Sequence, residues 1–240
     1  MSTFNQFLRS IEVTLPPQPR EFPFSVPAFA QLASLEFHPH VTFFVGENGS
    51  GKSTLLEAIA GLAGMPTTGG SNNFTRSAAD RERPFGNAIK LVRGVRQPKS
   101  AFFLRAESFF NVATEIEATG VASSYGPQGL HEQSHGESFL ALALHRFRNH
   151  GLYLLDEPEA ALSPQRQLAF LAIINQLVDG GSQFIIATHS PILLAFPRSC
   201  ILHFSEAGIE DVAYEKTEHY ALTLDFLSNR ERYLARLFKD

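Results

Sequence analysis

The chain has 240 residues, 44% of them hydrophobic, and 24 acidic against 20 basic side chains leave a net charge of −4. That is enough apolar material to bury the core of one ordinary α/β domain. A lone cysteine, Cys200, excludes an internal disulfide, no run reaches the ~18 apolar residues needed to span a bilayer, and Met1–Arg9 lacks signal-peptide shape. The expectation is a cytoplasmic domain that meets a membrane only through a partner.

Residues 1–45 read as short strands broken by prolines, consistent with a small antiparallel sheet. The run Val41–Val45 is apolar, β-branched and aromatic, and it leads into Gly46, Glu47, Asn48, Gly49, Ser50, Gly51, Lys52, Ser53 and Thr54, which fit G-x-x-x-x-G-K-[ST]. Leu55–Ala60 continues as a helix former. Strand, glycine-rich turn and helix start together predict a phosphate-binding loop. Gly46 and Gly51 permit the tight turn and let backbone N–H groups face phosphate oxygens. Lys52 brings a point charge to the β- and γ-phosphates, and the Ser53 hydroxyl is placed to ligate Mg²⁺.

Residues 64–88 are rich in Gly, Ser, Thr and Asn and read as an excursion from the core. Between Arg76 and Arg105 eight Lys and Arg face only Asp80 and Glu82. The plain reading is a solvated loop face; the sharper one is a surface for the DNA backbone. Residues 108–130 look like a compact helical insertion ending in a loop.

His131–His135 fits H-E-x-x-H literally, a spacing that holds Zn²⁺ only if one helix runs through all five residues. Pro127, Gly129 and Gly136 crowd both sides, so the zinc reading is set aside. Ser134 reads instead as a helix N-cap with Glu137 three residues on, ahead of the apolar stretch Phe139–Leu144. A capped helix start is also an anion site.

Leu152–Leu155 runs into Asp156 and Glu157, so a buried strand delivers Asp156 to a Mg²⁺ shell while Glu157, one residue on, can polarise a water. Ser163 and Pro164 open a helix that Gly180 and Gly181 close. Gln183–Ala187 is the next parallel strand and sets His189 at the sheet's C-terminal edge, where α/β folds place ligands. Cys200 sits in an apolar run and reads as a buried structural thiol. A strand over 209–214 and a helical end over 219–238 complete the chain.

Several of these motifs, in this order, resemble the ATP-binding cassette (ABC-type) ATPases from about residue 36 onward. Gly46–Thr54 matches the family's first nucleotide loop, Gln133–Glu137 its LSGGQ signature, Leu152–Glu157 its second nucleotide motif, Ala161–Pro164 its D-loop and His189 its switch histidine. The signature ending in Glu137, with Thr188–Pro191 and Phe102–Asn111, is similar to the soluble branch that includes SMC, RecF-like and OLD-like ATPases.

The resemblance implies a single domain over 1–240 of P-loop NTPase type: a mostly parallel sheet flanked by helices, a small antiparallel sheet within 1–45, and a helical insertion within 108–150. It implies ATP and Mg²⁺ as cofactors. Glu157, His189 and Lys52 would be catalytic, and Ser53, Asp156 and Glu107 would face the metal, with Glu107 in the slot of the family's Q-loop glutamine. Nucleotide would touch Gly46, Asn48, Gly49, Ser50, Gly51, Lys52, Ser53 and Thr54. Ser134, Gly136 and Glu137 would reach the nucleotide of a second copy in an ATP-sandwiched homodimer, which drives a protein partner or acts on DNA. The alternative implied is the nucleotide-binding subunit of a membrane transporter.

Overall fold

The computed structural model describes residues 6–15, 21–66, 70–71, 88–106 and 135–239. Its centre is a seven-stranded sheet built from β3 (Val41–Gly46), β4 (Gly70–Ser71), β6 (Ser100–Arg105), β7 (Gly151–Asp156), β8 (Gln183–Ala187), β9 (Ser199–Ser205) and β10 (Gly208–Asp211), in the order β10-β9-β3-β8-β7-β6-β4. The five inner strands are parallel and the two edge strands antiparallel. Every residue of β3, β7 and β8 is buried, as a parallel sheet covered on both faces requires.

Alternation along the strands divides the core in two. Val41, Phe43 and Val45 join Phe102, Tyr153, Leu155 and Ile186 beneath α2 (His135–Arg146) and α3 (Pro164–Asp179), whose Phe139 and Phe170 rings meet edge to face at 5.4 Å. On the other face Phe44, Phe103, Leu154 and Ile185 pack with Leu55, Leu56 and Ile59 of α1 (Lys52–Ala63).

The same face carries a three-stranded antiparallel sheet in the order β2-β1-β5, with β1 spanning Leu8–Val13, β2 Ser34–Glu36 and β5 Ile89–Arg93. The buried Gln183 side chain joins the two sheets. Its Oε1 accepts from the N–H groups of Phe7 and Leu8 at 3.0 Å each, and its Nε2 donates to the carbonyls of Leu8 at 2.8 Å and His38 at 3.1 Å.

Several expectations are corrected. Within 1–45 the prolines do not merely interrupt strands: Pro27–Phe29 is a 3₁₀ turn that buries Phe29. The third strand of the small sheet is β5, since an antiparallel partner can come from a distant segment as well as from a sequence neighbour, and β3 belongs to the large sheet. Gly70 and Ser71 form an edge strand inside the supposed excursion. The strand expected over 209–214 is β10 and stops at Asp211.

After the short helix α4 (Pro191–Leu194), the helical end is two helices, α5 (Glu218–Ser228) and α6 (Arg230–Leu237). Apolar periodicity runs through the break, but Asn229 takes φ −130° and its amide donates to the Asp225 carbonyl and carboxylate, closing the first helix. Cys200 is half-buried, its Sγ 3.7 Å from the Thr42 hydroxyl. The helical insertion is described only for α2, and Glu107, His131 and Ser134 lie outside the described residues.

Candidate nucleotide site

The C-terminal ends of β3, β6, β7 and β8 lie on one edge of the sheet. Register sets Arg105 beside Asp156 and Asp156 beside Ala187, so the residue that ends each strand is a neighbour of the next. The loop Gly46–Gly51 leaves β3 at that edge and α1 begins at Lys52. Two glycines are obligatory here. A Cβ on Gly46, at φ +138°, would collide with the Phe204 carbonyl, and one on Gly51, at φ +99°, would enter the Phe29 ring.

Lys52 is 4% exposed, and its Nζ arches back to donate to the carbonyls of Gly46 at 2.8 Å and Glu47 at 2.7 Å. Burial lowers its pKa, opposed by Glu157, Asp156 and Glu159. The Ser50 Oγ is buried with no hydrogen-bond partner among the described residues, an orphan that phosphate oxygens would satisfy. Asn48 and Gly49 line a cleft of about 490 Å³ that runs along the loop past Val26, Phe204 and Glu218.

The Ser53 hydroxyl donates to Asp156 Oδ1 at 2.9 Å, beside a cleft of about 160 Å³ lined by Ser53, Arg105, Asp156 and Glu157. Two hard oxygen donors with room for water are a set that suits Mg²⁺. Burial raises the Asp156 pKa, held back by the Ser53 bond and the nearby Arg105 charge. Arg105 Nε donates to Asp156 Oδ2 at 3.1 Å while its other end pairs with Glu57.

Glu157 turns away from the strand at φ +49°, ψ +50°, a left-handed conformation unusual for a glutamate, and its N–H is fixed to the Ala187 carbonyl at 2.9 Å. The side chain stands half-exposed at the site, its Oε1 3.6 Å from Nε2 of His189. Behind them the Glu159 carboxylate accepts from the Thr188 hydroxyl at 2.7 Å and the His189 N–H at 2.6 Å. Burial raises the Glu159 pKa and those two bonds restrain it. The His189 ring is 2.8 Å from the His219 ring, Nδ1 to Nε2. Burial, Lys52 and His219 bring the His189 pKa down to about 4.

Thus Gly46, Ser50, Gly51, Lys52, Ser53, Asp156, Glu157 and His189 converge. Glu137, exposed in the first turn of α2, pairs with Arg166 of α3 at 2.9 Å, and Gly136 precedes it in the same turn. The expectations for Ser134 and Glu107 fall outside the described residues. Sequence reasoning missed Arg105, Glu159 and His219. Arg105 carried the signal used for Asp156 and His189, a polar residue at the end of an apolar strand; the other two carried none.

A phosphate loop, a strand-end aspartate followed by a glutamate and a strand-end histidine on one edge of a mainly parallel sheet define a P-loop nucleotide hydrolase. A family described as "AAA domain" matches residues 26–102, and one described as "AAA domain, putative AbiEii toxin, Type IV TA system" matches residues 121–195. The cytochrome c biogenesis ATP-binding export protein CcmA of Rhodopseudomonas palustris (strain BisB5) is 30% identical over 158 residues, covering 63% of this chain and 78% of that protein. The thiamine import ATP-binding protein ThiQ of Haemophilus influenzae is 31% identical over 166 residues, covering 61% and 74%. Among solved structures, cbiO1 from Clostridium perfringens, part of the ABC transporter complex cbiONQ, has a similar fold at TM-score 0.52 and 15% identity, covering 96% of this chain and 99% of that one. The chain belongs to the ABC-type ATPase superfamily, and its reaction is the hydrolysis of ATP. No helix among the described residues is long and apolar enough to cross a membrane.

Proposed function

We propose that two copies of this chain close head to tail around two ATP molecules and that hydrolysis reopens them, moving whatever protein is attached. The observation that supports the reading is the convergence of Lys52, Ser53, Asp156, Glu157 and His189 on one sheet edge. Lys52 and the backbone N–H groups at the start of α1 hold the β- and γ-phosphates. Ser53 and Asp156, with Glu107, would hold Mg²⁺, which supplies positive charge at the phosphate oxygens. Glu157 accepts a proton from the attacking water, and His189 donates to a γ-phosphate oxygen as the bond to ADP breaks. Ser134 and Gly136 of the second copy add backbone donors and a helix N-terminus only while γ-phosphate is present, so ATP stabilises the closed pair.

The test is the oligomeric state by light scattering. ATP should convert Glu157→Gln from monomer to dimer, and Ser134→Arg in that background should abolish the dimer while retaining nucleotide binding. A Glu157→Gln protein that stays monomeric with bound ATP would reject the sandwich.

A second reading, the ATP-binding subunit of a membrane transporter, is favoured by the names of the two relatives. Against it, the slot of the Q-loop glutamine, which meets membrane helices in transporter subunits, holds Glu107. Pull-down of the ATP-trapped form separates the two: a membrane permease recovered with it supports the transporter reading. DNA has less support as the thing moved. Of the eight cations between 76 and 105, Arg105 is committed to the site, Lys90 pairs with Glu12, and Arg93 donates to the Leu62 carbonyl at 2.9 Å.

A further inference from the structure

His219 belongs to none of the motifs that define the site, yet its ring meets the His189 ring at 4.9 Å between centroids and 61° between planes. The contact is built. Thr217, 3% exposed, caps α5 by accepting from the Tyr220 N–H at 3.4 Å and donates to the Tyr214 carbonyl at 2.7 Å. Tyr214 in turn donates its hydroxyl to the Pro191 carbonyl at 2.9 Å, two residues beyond His189. The start of α5 is therefore stitched to the segment that carries His189, and His219 enters from its first turn.

Two neutral imidazoles 2.8 Å apart share one proton between facing nitrogens, so one ring donates and the other accepts. The choice fixes the far side of His189. Its Nε2 is buried, has no hydrogen-bond partner among the described residues, and lies 3.6 Å from the Glu157 carboxylate. A lone pair at that nitrogen would oppose the carboxylate and any phosphate, whereas an N–H is attracted by both.

We propose that His219 is a positioning residue: it donates its Nε2–H to His189 Nδ1 and so holds His189 in the tautomer that carries its proton on Nε2, aimed at the γ-phosphate. The inference rests on the reading of His189 as the phosphate donor. Both rings have lowered pKa values, burial being the main cause, so the pair stays neutral at pH 7 and the donor–acceptor pattern is kept. Loss of an orienting partner that sets a catalytic histidine's tautomer is costly in other enzymes, because the ring then presents the wrong atom.

The test uses the full chain and two substitutions of matched shape. His219→Gln keeps an N–H donor near the position of Nε2; His219→Glu offers only acceptors at neutral pH and calls for the opposite tautomer of His189. Expected are a kcat for His219→Gln within about threefold of wild type and a fall of at least about tenfold for His219→Glu, with KM for ATP little changed in both. Ring ¹⁵N shifts of His189 in nucleotide-free protein should show a protonated Nε2 in wild type and His219→Gln. His189 found protonated on Nδ1 in wild type, or equal kcat for the Gln and Glu variants, overturns the inference. His189→Ala with wild-type turnover would instead overturn the reading of His189 beneath it, while the ¹⁵N shifts still decide the tautomer. Circular dichroism confirms that each variant is folded.

Discussion

Arg105 and Asp156 are register partners on adjacent parallel strands, and the guanidinium Nε lies 3.1 Å from the carboxylate that faces the proposed metal. The pair is buried on the acid side, with Asp156 5% and Arg105 24% exposed, and Glu57 holds the far end of the guanidinium. Removing the cation leaves a buried carboxylate without its counter-charge. Arg105→Leu should therefore cost about 2–4 kcal/mol in urea unfolding. An unchanged midpoint would show that water replaces the guanidinium at no cost.

Glu157 is held by its backbone, not its side chain, so the conservative amide fits the same space. Glu157→Gln should bind ATP normally and lose turnover by at least about 10², the scale of general-base catalysis. Phosphate release measured at saturating ATP decides it. Wild-type turnover would remove Glu157 from the role.

The lowered pKa of His189 makes stability depend on pH. Unfolded, the ring takes up a proton near pH 6.5; folded, it resists until about pH 4. Between those values the unfolded chain binds more protons, so stability falls as pH falls, by up to about 1.4 kcal/mol per pH unit for one such group. Above pH 6.5 the group contributes no slope. His189→Gln should flatten the decline between pH 6.5 and 4 in chemical denaturation, and parallel curves for the two proteins would contradict the assignment.

Gln183 satisfies four backbone groups across the two sheets with one amide. Gln183→Leu fills the volume but leaves those groups unpaired, at a cost of about 2–4 kcal/mol. Faster hydrogen exchange at Phe7 and Leu8 should accompany it. Exchange unchanged at both residues would mean that β1 is held by its strand partners alone.

The sequence made the site's chemistry legible wherever chemistry and strand endings coincide. Lys52, Ser53, Asp156 and His189 each sit at the junction of an apolar run and a turn, and such a junction is written in consecutive residues. Glu159 and His219 act through contacts between segments 30 residues apart, in both cases to His189, and no local pattern encodes those. The same reason explains β5, whose partner β1 lies near the other end of the N-terminal region, and Asn229, where a side chain closes a helix that periodicity alone would continue.

The segments that follow β7 and β8 are fastened at three points: Glu157 N–H to the Ala187 carbonyl, and the Glu159 carboxylate to the Thr188 hydroxyl and the His189 N–H. Glu157 and His189 therefore ride on one shared clamp. A displacement of Pro158–Leu162 is therefore handed through the Glu159 carboxylate to Thr188 and His189, 30 residues further along the chain.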